Sequence, residues 1–445
     1  MVKITTEEIE QNFKDIAPPM TKAEALVEAN RCLYCYDAPC THACPTGIDV
    51  PSFIKKIASD NLTGSARVIF DANPIGASCA RVCPVEVLCE GACVEKTLVE
   101  KPIEIGRLQR YATDDAISNN KELFKAGEPN GKSVGIIGSG PAGLSCATYL
   151  ARLGYAVTVY EKKPLAGGLD TYGMAEYKMT QKDSLEEVGI VEKLGVEFCL
   201  NTSITADGDS SSADSLQAGS LRSRHDALFF GMGLGESNDL GIKGEDMEGV
   251  YEALDFIEKI KTRDWESVPL GRTVAVIGAG NTAIDAVTQA KRLGAEKVML
   301  VYRKTVKDIS AYDYEYELAK KDGIEFVWQA SPIEILGNGK VEALRCKRND
   351  GSGTEFEIAC DMVIKAIGQK KQKNFFEQIG VATDESGRVK VNESMETSAE
   401  GIFAGGDCVN GGAEAVDASQ AGKLAAIGIH KTLLGEIVQF TGADG

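Results

Sequence analysis

Cysteine is the residue type with the most chemical potential in this chain, because eight of its 13 cysteines fall between residues 32 and 93. They form two groups, the first comprising Cys32, Cys35, Cys40 and Cys44 and the second Cys79, Cys83, Cys89 and Cys93. Thiolates at such short intervals are ligands of soft and borderline metals and of iron–sulfur clusters. The spacing therefore predicts metal or cluster binding near the start of the chain.

Three kinds of site could use these thiols. A disulfide framework needs an oxidising compartment, and the opening run Met-Val-Lys-Ile-Thr-Thr-Glu-Glu lacks the apolar core of a signal segment. Two structural zinc sites of four thiolates each are the alternative. Intervals of two, four and three residues ending in Cys44-Pro45 come close to the bacterial ferredoxin run, and the nucleotide motifs downstream also fit electron transfer. We therefore favour iron–sulfur clusters and keep zinc as the alternative.

The first of two glycine-rich loops follows the apolar segment that begins at Val134. Gly138, Gly140 and Gly143 have the spacing in which glycines permit a tight turn, close approach to a pyrophosphate, and close packing of helix on strand. The next strand ends at Glu161, where a carboxylate can accept a hydrogen bond from a ribose hydroxyl. This order of strand, glycines, helix, strand and acid predicts a dinucleotide-binding fold.

The second loop has Gly278 and Gly280 at the same spacing, with Ala283 as the permitted variant of the third glycine. Its next strand ends at Arg303 and Lys304, where the first copy has an acid. Cations at this place suit the 2′-phosphate of NADPH, so we expect NADPH to be preferred over NADH. The alternative is that the two cations are a solvated surface pair.

A third motif, Gly405-Gly406-Asp407, ends a predicted strand and precedes a helix predicted from Ala413 to Leu433. Taken alone, such a motif is an ordinary turn. After two dinucleotide folds it resembles the second flavin motif of flavoproteins with two dinucleotide-binding domains, in which the aspartate binds the ribityl–phosphate chain. The segment at Ala366 resembles the strand end that returns the chain to the flavin domain.

These motifs imply an α+β multidomain fold, with an N-terminal all-α iron–sulfur domain followed by two Rossmann-like α/β domains. Thr21 and Glu24 have the spacing of a capping box and predict the start of a helix. The polar run 207–214 is expected to be a surface loop. The expected boundaries are 1–118 for the iron–sulfur domain, 131–262 and 366–445 for a split FAD domain, and 268–365 for an inserted NAD(P)H domain.

Composition restricts the partners and the compartment. The net charge of −18 argues against nucleic acid, because proteins that bind it carry basic patches. No run of 18 or more apolar residues occurs, so we expect no membrane span. With no signal segment, the chain is expected to be cytoplasmic.

The whole chain resembles the N-terminal half of dihydropyrimidine dehydrogenase and the separate flavin/iron–sulfur subunit of the bacterial enzyme, within the wider family of glutamate synthase small subunit-like oxidoreductases. The resemblance is strongest in Arg31 to Cys40, Cys79 to Pro84 and Ile105 to Arg110. It implies an NAD(P)H-dependent oxidoreductase that oxidises NADPH, or NADH, at FAD and passes electrons through two 4Fe-4S clusters.

The resemblance also implies cluster ligands that cross between the two cysteine groups. The first cluster would be bound by Cys32, Cys35, Cys40 and Cys93, and the second by Cys44, Cys83, Cys89 and Gln109. Cys79 would then bind neither cluster, and it is the alternative to Gln109 as the eighth ligand. Without the resemblance, Gln109 is interpreted as a surface or capping residue.

The residues expected to bind the organic cofactors come from all three nucleotide motifs. They are Gly138, Gly140, Gly143, Glu161, Gly168, Gly406, Asp407, Gly278, Gly280, Asn281, Thr282, Arg303 and Lys304. We assign no catalytic acid or base, because the three histidines lie in no motif.

The resemblance further implies a partner, because the full-length enzyme of the family continues into an FMN-binding barrel and a ferredoxin-like domain. We expect a hetero-oligomer whose partner subunit carries the substrate site and reduces uracil or thymine to the 5,6-dihydropyrimidine. Two features favour this branch. Gln109 stands where transhydrogenases tend to carry Glu, and five residues separate Cys83 from Cys89, where the glutamate synthase branch usually has fewer. The alternatives are the small subunit of glutamate synthase, the large subunit of a bifurcating ferredoxin–NADP transhydrogenase, and a non-catalytic metal-binding scaffold.

Overall fold

The computed structural model describes residues 4–206 and 215–441, so the polar run 207–214 lies outside the described residues. The chain forms two compact units. The larger unit contains the described residues within Ala17–Thr171, Lys182–Leu234 and Lys371–Gly445, and the smaller unit those within Met1–Ile16, Tyr172–Gln181 and Gly235–Lys370.

Helices are the regular elements of the N-terminal part of the chain, within residues 4–118. Its helices are α1 (Thr6–Asn12), α2 (Lys22–Arg31), α3 (Pro39–His42), α4 (Val50–Ala58), α5 (Leu62–Ala72), α6 (Gly76–Val82), α7 (Val94–Val99) and α8 (Ile105–Ser118). The predicted capping box is confirmed at the start of α2, where Glu24 N donates to Thr21 Oγ1 and Thr21 N donates to the Glu24 carboxylate. Apolar faces of α4, α5 and α8 meet in one core, which holds the cysteine-bearing loops between them.

Strands alternate with helices after residue 132 of the larger unit. These elements are β1 (Ser133–Ile137), α9 (Pro141–Arg152), β2 (Ala156–Tyr160), α10 (Leu169–Tyr172), α11 (Gln181–Glu192), β3 (Glu197–Cys199), β4 (Ser203–Thr205), β5 (Ser215–Gln217), α12 (Ala218–Arg222) and β6 (Ala227–Phe230). Strand β1 is buried at four of its five residues, as expected for a parallel strand covered on both faces.

The smaller unit has its own sheets. Its elements are β7 (Val250–Glu252), α13 (Ala253–Lys261), β8 (Thr273–Ile277), α14 (Asn281–Arg292), β9 (Lys297–Val301), a 3-10 helix (Val306–Asp308), α15 (Asp313–Lys321), β10 (Glu325–Val327), β11 (Ala330–Gly337), β12 (Val341–Arg348), β13 (Glu355–Ala359) and β14 (Met362–Lys365). A parallel sheet has the order β10-β9-β8-β14-β7, and β11, β12 and β13 form an antiparallel sheet.

The chain then returns to the larger unit. Its last elements are α16 (Lys373–Gln378), β15 (Ile402–Ala404), α17 (Asp407–Asn410) and α18 (Ala415–Leu434). Strand β15 pairs in parallel with β6 and completes the sheet β15-β6-β1-β2-β3. This pairing joins segments on either side of the smaller unit in one sheet, which confirms that one α/β domain is inserted into the other.

The unit boundaries differ from the expected domain limits. Strand β7 pairs with β14 of the second sheet, so the insertion begins well before residue 262. Helix α1 also belongs to the smaller unit. Just beyond its end, the ring centroids of Phe13 and Trp265 are 5.0 Å apart. A three-residue strand and a seven-residue helix are too short to show a clear sequence period, which explains the difference.

One finding concerns membranes. Across residues 4–206 and 215–441, no helix combines the length and the apolar character needed to cross a bilayer.

Candidate cofactor and iron–sulfur sites

The first cysteine site is a small cavity in the helical part of the larger unit. Four thiols line it, from Cys32, Cys35, Cys40 and Cys93. Cys32 ends α2 and Cys93 immediately precedes α7, so the ends of two helices bring distant parts of the chain together. Ile54 and Ile105 complete an apolar wall. The cavity unites the four ligands expected for the first cluster.

The environment of two of these thiols, Cys32 and Cys40, favours the protonated form. Burial, together with the neighbouring Cys93 and Cys32, raises the pKa of Cys40 to about 12. Burial also raises the pKa of Cys32. Because metals bind thiolates, occupation of the cavity must displace these protons. A group that carries several positive charges would fit this site.

A second set of thiols lies nearby. The Cys83 thiol has a raised pKa, first because of its hydrogen bond with Cys79, then because of burial and the nearby Cys89 and Cys44. Burial raises the pKa of Cys89, and both Cys44 and Cys40 interact with it electrostatically. Cys44 thus lies within electrostatic range of Cys83 and Cys89, and its role in a second ligand set stays a prediction.

Gln109 and Cys79 are the two candidates for the eighth ligand. Gln109 lies on α8, is 7% exposed, and donates from Nε2 to the carbonyl oxygen of Gly76 at 2.7 Å. This bond orients the amide and leaves Oε1 as the atom that could bind iron. Cys79 is 3% exposed and packs in the apolar core that also holds β1. The surface interpretation of Gln109 is therefore wrong, and its ligand role stays a prediction.

The described residues contain no three His, Cys, Asp or Glu side chains arranged to hold a single metal ion. The choice between zinc and iron–sulfur clusters therefore depends on the comparisons given below.

The first glycine loop forms a cradle at the start of α9. Gly138 has φ +96°, and a Cβ there would lie 2.6 Å from the carbonyl oxygen of Gly231. A Cβ on Gly143 would lie 2.0 Å from the carbonyl oxygen of Gly138. At Gly140, by contrast, the nearest atom is the Cα of Gly168 at 3.9 Å, so space remains beside the free N–H groups of α9. A pyrophosphate fits such a position.

Glu161 anchors this loop from the end of β2. Its Oε2 accepts hydrogen bonds from Ser139 N at 3.1 Å and from Ser139 Oγ at 2.7 Å. Its Oε1 accepts from Lys163 N at 2.9 Å. The carboxylate is 7% exposed and held in place, with lone pairs left for a ribose hydroxyl.

Two further segments reach the same cradle. Gly168 has φ +57°, and a Cβ there would lie 2.6 Å from Gly140 Cα. Gly406 has φ +74°, and a Cβ there would lie 3.1 Å from Ala142 Cβ at the start of α9. The next residue, Asp407, is partly buried, which raises its pKa, and accepts a hydrogen bond from Ala413 N at 3.3 Å. The first and third nucleotide motifs therefore meet at the start of α9.

The second glycine loop borders a cleft of about 650 Å³ within the smaller unit. Among the expected residues, Gly278, Gly280, Thr282 and Arg303 line this cleft. A Cβ on Gly280 would meet only Ser310 Oγ, at 3.5 Å. Asn281 instead accepts a hydrogen bond from Tyr312 N at 3.1 Å, and Lys304 is exposed and outside the cleft lining.

Sequence reasoning missed two residues of the described sites. Lys365 lines the cleft, where its ammonium pairs with Glu245 at 2.7 Å and Glu252 at 2.6 Å. Its position at the end of the apolar run Met-Val-Ile could have indicated it. Gly422 lets α18 approach α9, because a Cβ there would lie 2.2 Å from the carbonyl oxygen of Ala142.

Comparison with protein families gives two matches. Residues 9–121 match the family described as dihydropyrimidine dehydrogenase domain II, 4Fe-4S cluster. Residues 132–422 match the pyridine nucleotide-disulphide oxidoreductase family. The first match favours iron–sulfur clusters over zinc, and the second implies FAD and NAD(P)H as cofactors.

Curated relatives cover nearly the whole chain. It is 33% identical over 426 residues to the NAD-dependent dihydropyrimidine dehydrogenase subunit PreT homolog of Salmonella typhi, which covers 95% of this chain and 98% of that protein. It is also 33% identical over 454 residues to the glutamate synthase (NADPH) small chain of Escherichia coli strain K12, which covers 95% of this chain and 94% of that protein.

Solved structures support the fold. Thioredoxin reductase of T. acidophilum matches 67% of this chain and 98% of its own, with a TM-score of 0.55 and 23% identity. FprA of Mycobacterium tuberculosis matches 71% of this chain and 88% of its own, with a TM-score of 0.54 and 19% identity. With relatives above 30% identity over 95% of its length, this chain belongs to the pyridine nucleotide-disulphide oxidoreductase family, as an NAD(P)H-dependent flavin and iron–sulfur oxidoreductase of the PreT and glutamate synthase small-chain type.

Proposed function

We propose that this chain is the electron-input subunit of a dihydropyrimidine dehydrogenase. It oxidises NADPH, or NADH, at FAD and passes electrons through two 4Fe-4S clusters to a catalytic partner that reduces uracil or thymine to the 5,6-dihydropyrimidine. The PreT relatives, at 32–33% identity, are named as subunits of an NAD-dependent dihydropyrimidine dehydrogenase. Their alignments cover at least 95% of this chain. The partner is expected to bind FMN in a barrel and to add a ferredoxin-like domain.

One observation carries the proposal. Cys93 joins Cys32, Cys35 and Cys40 around one cavity, although it lies far from them in sequence. A ligand set that crosses between the groups is the arrangement that the resemblance implies for two adjacent clusters. Cys44, Cys83 and Cys89 are left for the second cluster, with Gln109 as its fourth ligand.

The chain's own residues act by binding and orientation. Bound FAD would convert the two-electron oxidation of a nicotinamide into one-electron transfers to the clusters. Gly140 leaves room for its pyrophosphate at α9, while Glu161 and Asp407 are placed to accept hydrogen bonds from its sugar and ribityl hydroxyls. In the smaller unit, the cleft beside Gly280 would hold the nicotinamide dinucleotide.

Arg303 is proposed to bind the 2′-phosphate of NADPH, because it lines the cleft at the end of β9. We expect Arg303→Ala to lower kcat/KM for NADPH by roughly 10- to 100-fold, since a hydrogen bond to a charged group contributes about 1.5–3 kcal/mol. The value for NADH should change little. Steady-state kinetics with both coenzymes measures this.

Lys304→Ala is the matched control, because its side chain is exposed and lies outside the cleft lining. We expect a clearly smaller effect on NADPH than that of Arg303→Ala. Equal loss of NADPH and NADH activity in Arg303→Ala would refute the assignment of the 2′-phosphate contact.

Glutamate synthase is the second candidate, because its small chains are as similar to this chain as the PreT proteins are. Copurification from the native source separates the two. A partner that binds FMN, with NAD(P)H oxidation dependent on uracil or thymine, supports the proposal. A large partner with oxidation dependent on 2-oxoglutarate and glutamine supports glutamate synthase instead.

A further inference from the structure

Lys423 is a lysine without exposed surface, located in the middle of α18. Its ammonium donates hydrogen bonds to the carbonyl oxygens of Thr46, at 2.8 Å, and of Thr441, at 2.7 Å. Two carbonyl oxygens are weak compensation for a buried charge, since burial of an ion normally requires a counter-charge. Within residues 4–206 and 215–441, these two carbonyl contacts therefore compensate the Lys423 charge only in part.

Thr46 connects this ammonium to a proposed cluster ligand. Cys44 Sγ and Thr46 Oγ1 are 3.3 Å apart, and Thr46 is the same residue whose carbonyl oxygen binds Lys423. Burial lowers the pKa of Lys423 to about 8, while Cys44 and Asp71 oppose this shift. Asp71 thus supplies part of the counter-charge for the ammonium, and an anionic cluster on Cys44 would supply more.

We propose that Lys423 raises the reduction potential of the iron–sulfur cluster bound by Cys44, as a fixed positive charge behind that ligand. The inference rests on the proposed function, because it needs Cys44 to bind a cluster. Reduction adds one electron to the cluster, and a buried cation stabilises the more negative reduced state more than the oxidised one.

The position of α18 gives this charge a role in electron transfer. The helix follows the motif at Asp407 and packs closely against α9 at Gly422, beside the proposed FAD cradle. One helix therefore joins the proposed flavin site to the Cys44 loop within the larger unit. A higher potential at this cluster favours its reduction by the flavin, so Lys423 acts as a positioning residue for the direction of electron flow.

Two neutral variants test the charge. Lys423→Met keeps the length of the side chain, and Lys423→Gln keeps a hydrogen-bond donor. Redox titration followed by electron paramagnetic resonance measures the midpoint of each cluster in the full chain. We expect both variants to lower the midpoint potential of one cluster by about 59 mV. For a one-electron couple, this shift lowers the ratio of reduced to oxidised cluster at a fixed potential about tenfold.

Controls separate charge from structure. Lys423→Arg keeps the charge and should keep the midpoint of the unaltered chain. Lys261→Met removes another lysine with almost no exposed surface, in the smaller unit, and should leave both cluster midpoints unchanged.

An unshifted midpoint in Lys423→Gln with both clusters present would overturn the inference, as would an Arg variant shifted as far as the neutral ones. Absence of iron–sulfur clusters from the unaltered chain would overturn the proposed function instead. Iron and acid-labile sulfide analysis of the unaltered chain distinguishes the two failures.

Discussion

Cys93→Ala is expected to halve the iron content of the purified chain, from about eight to about four atoms, since each 4Fe-4S cluster carries four. Cys93 is 9% exposed and lines the cavity formed with Cys32, Cys35 and Cys40. Removing its thiol leaves three ligands, and alanine cannot supply a fourth. Electron transfer from NAD(P)H to the partner should fall at least 100-fold (about 2.7 kcal/mol), because the proposed route runs through this cluster.

Cys79→Ala is the matched control, because this thiol belongs to the same cysteine group and is more deeply buried. Cys79 packs in the core around β1 and forms a hydrogen bond with Cys83. It is not assigned to either cluster. We expect about eight iron atoms in this variant. Loss of four atoms here, with eight retained in Cys93→Ala, would refute the crossed ligand sets.

Gln109→Leu extends the same experiment to the eighth ligand. Leucine keeps a similar volume on α8 but has no amide oxygen for iron and no donor for the Gly76 carbonyl. We expect this variant to lose the second cluster while FAD content stays unchanged. Full iron content in Gln109→Leu, with a loss in Cys79→Ala, would make Cys79 the ligand.

The sequence predicted the nucleotide folds well because their signals are local. A strand, three spaced glycines and a helix lie within a few residues of one another, and their physical roles follow from backbone geometry. Strand β2 ends at Tyr160, directly before the expected Glu161, and α18 begins two residues after its expected start. The inserted order of the two folds followed from the third motif.

The cysteine ligand sets could not be derived from spacing alone. Counting thiols gives two equal groups, whereas in the structure Cys93 lines a cavity with three thiols of the first group, and Cys44 interacts electrostatically with Cys83 and Cys89 of the second. This exchange depends on how α2, α4 and α8 pack, which is a long-range property that a local pattern does not contain. Lys423 was missed for the same reason, because nothing in its helix indicates the Cys44 loop.

The two glycine loops allow a paired experiment. Replacing one glycine by alanine in each loop adds a methyl group that should weaken the binding of one cofactor, FAD or NAD(P)H. Gly140 has φ −68° and Gly280 has φ −90°, both allowed for alanine, and a Cβ meets no atom closer than 3.5 Å at either position. In the apoprotein each replacement by alanine should therefore raise the free energy of unfolding by about 0.4–1 kcal/mol. Bound cofactor changes the outcome, because the methyl group would occupy the space for its pyrophosphate.

We expect Gly140→Ala to weaken FAD binding by roughly 5- to 150-fold, from an overpacking penalty of about 1–3 kcal/mol, while the apoprotein melts at a higher temperature. Gly280→Ala should keep its FAD and instead raise KM for NAD(P)H by a similar factor. Flavin absorbance after dialysis, calorimetry of the apoproteins and steady-state kinetics measure the three effects. Because stability and binding move in opposite directions, a general folding defect cannot imitate this result. Flavin loss in Gly280→Ala with retention in Gly140→Ala would reverse the assignment of the two folds.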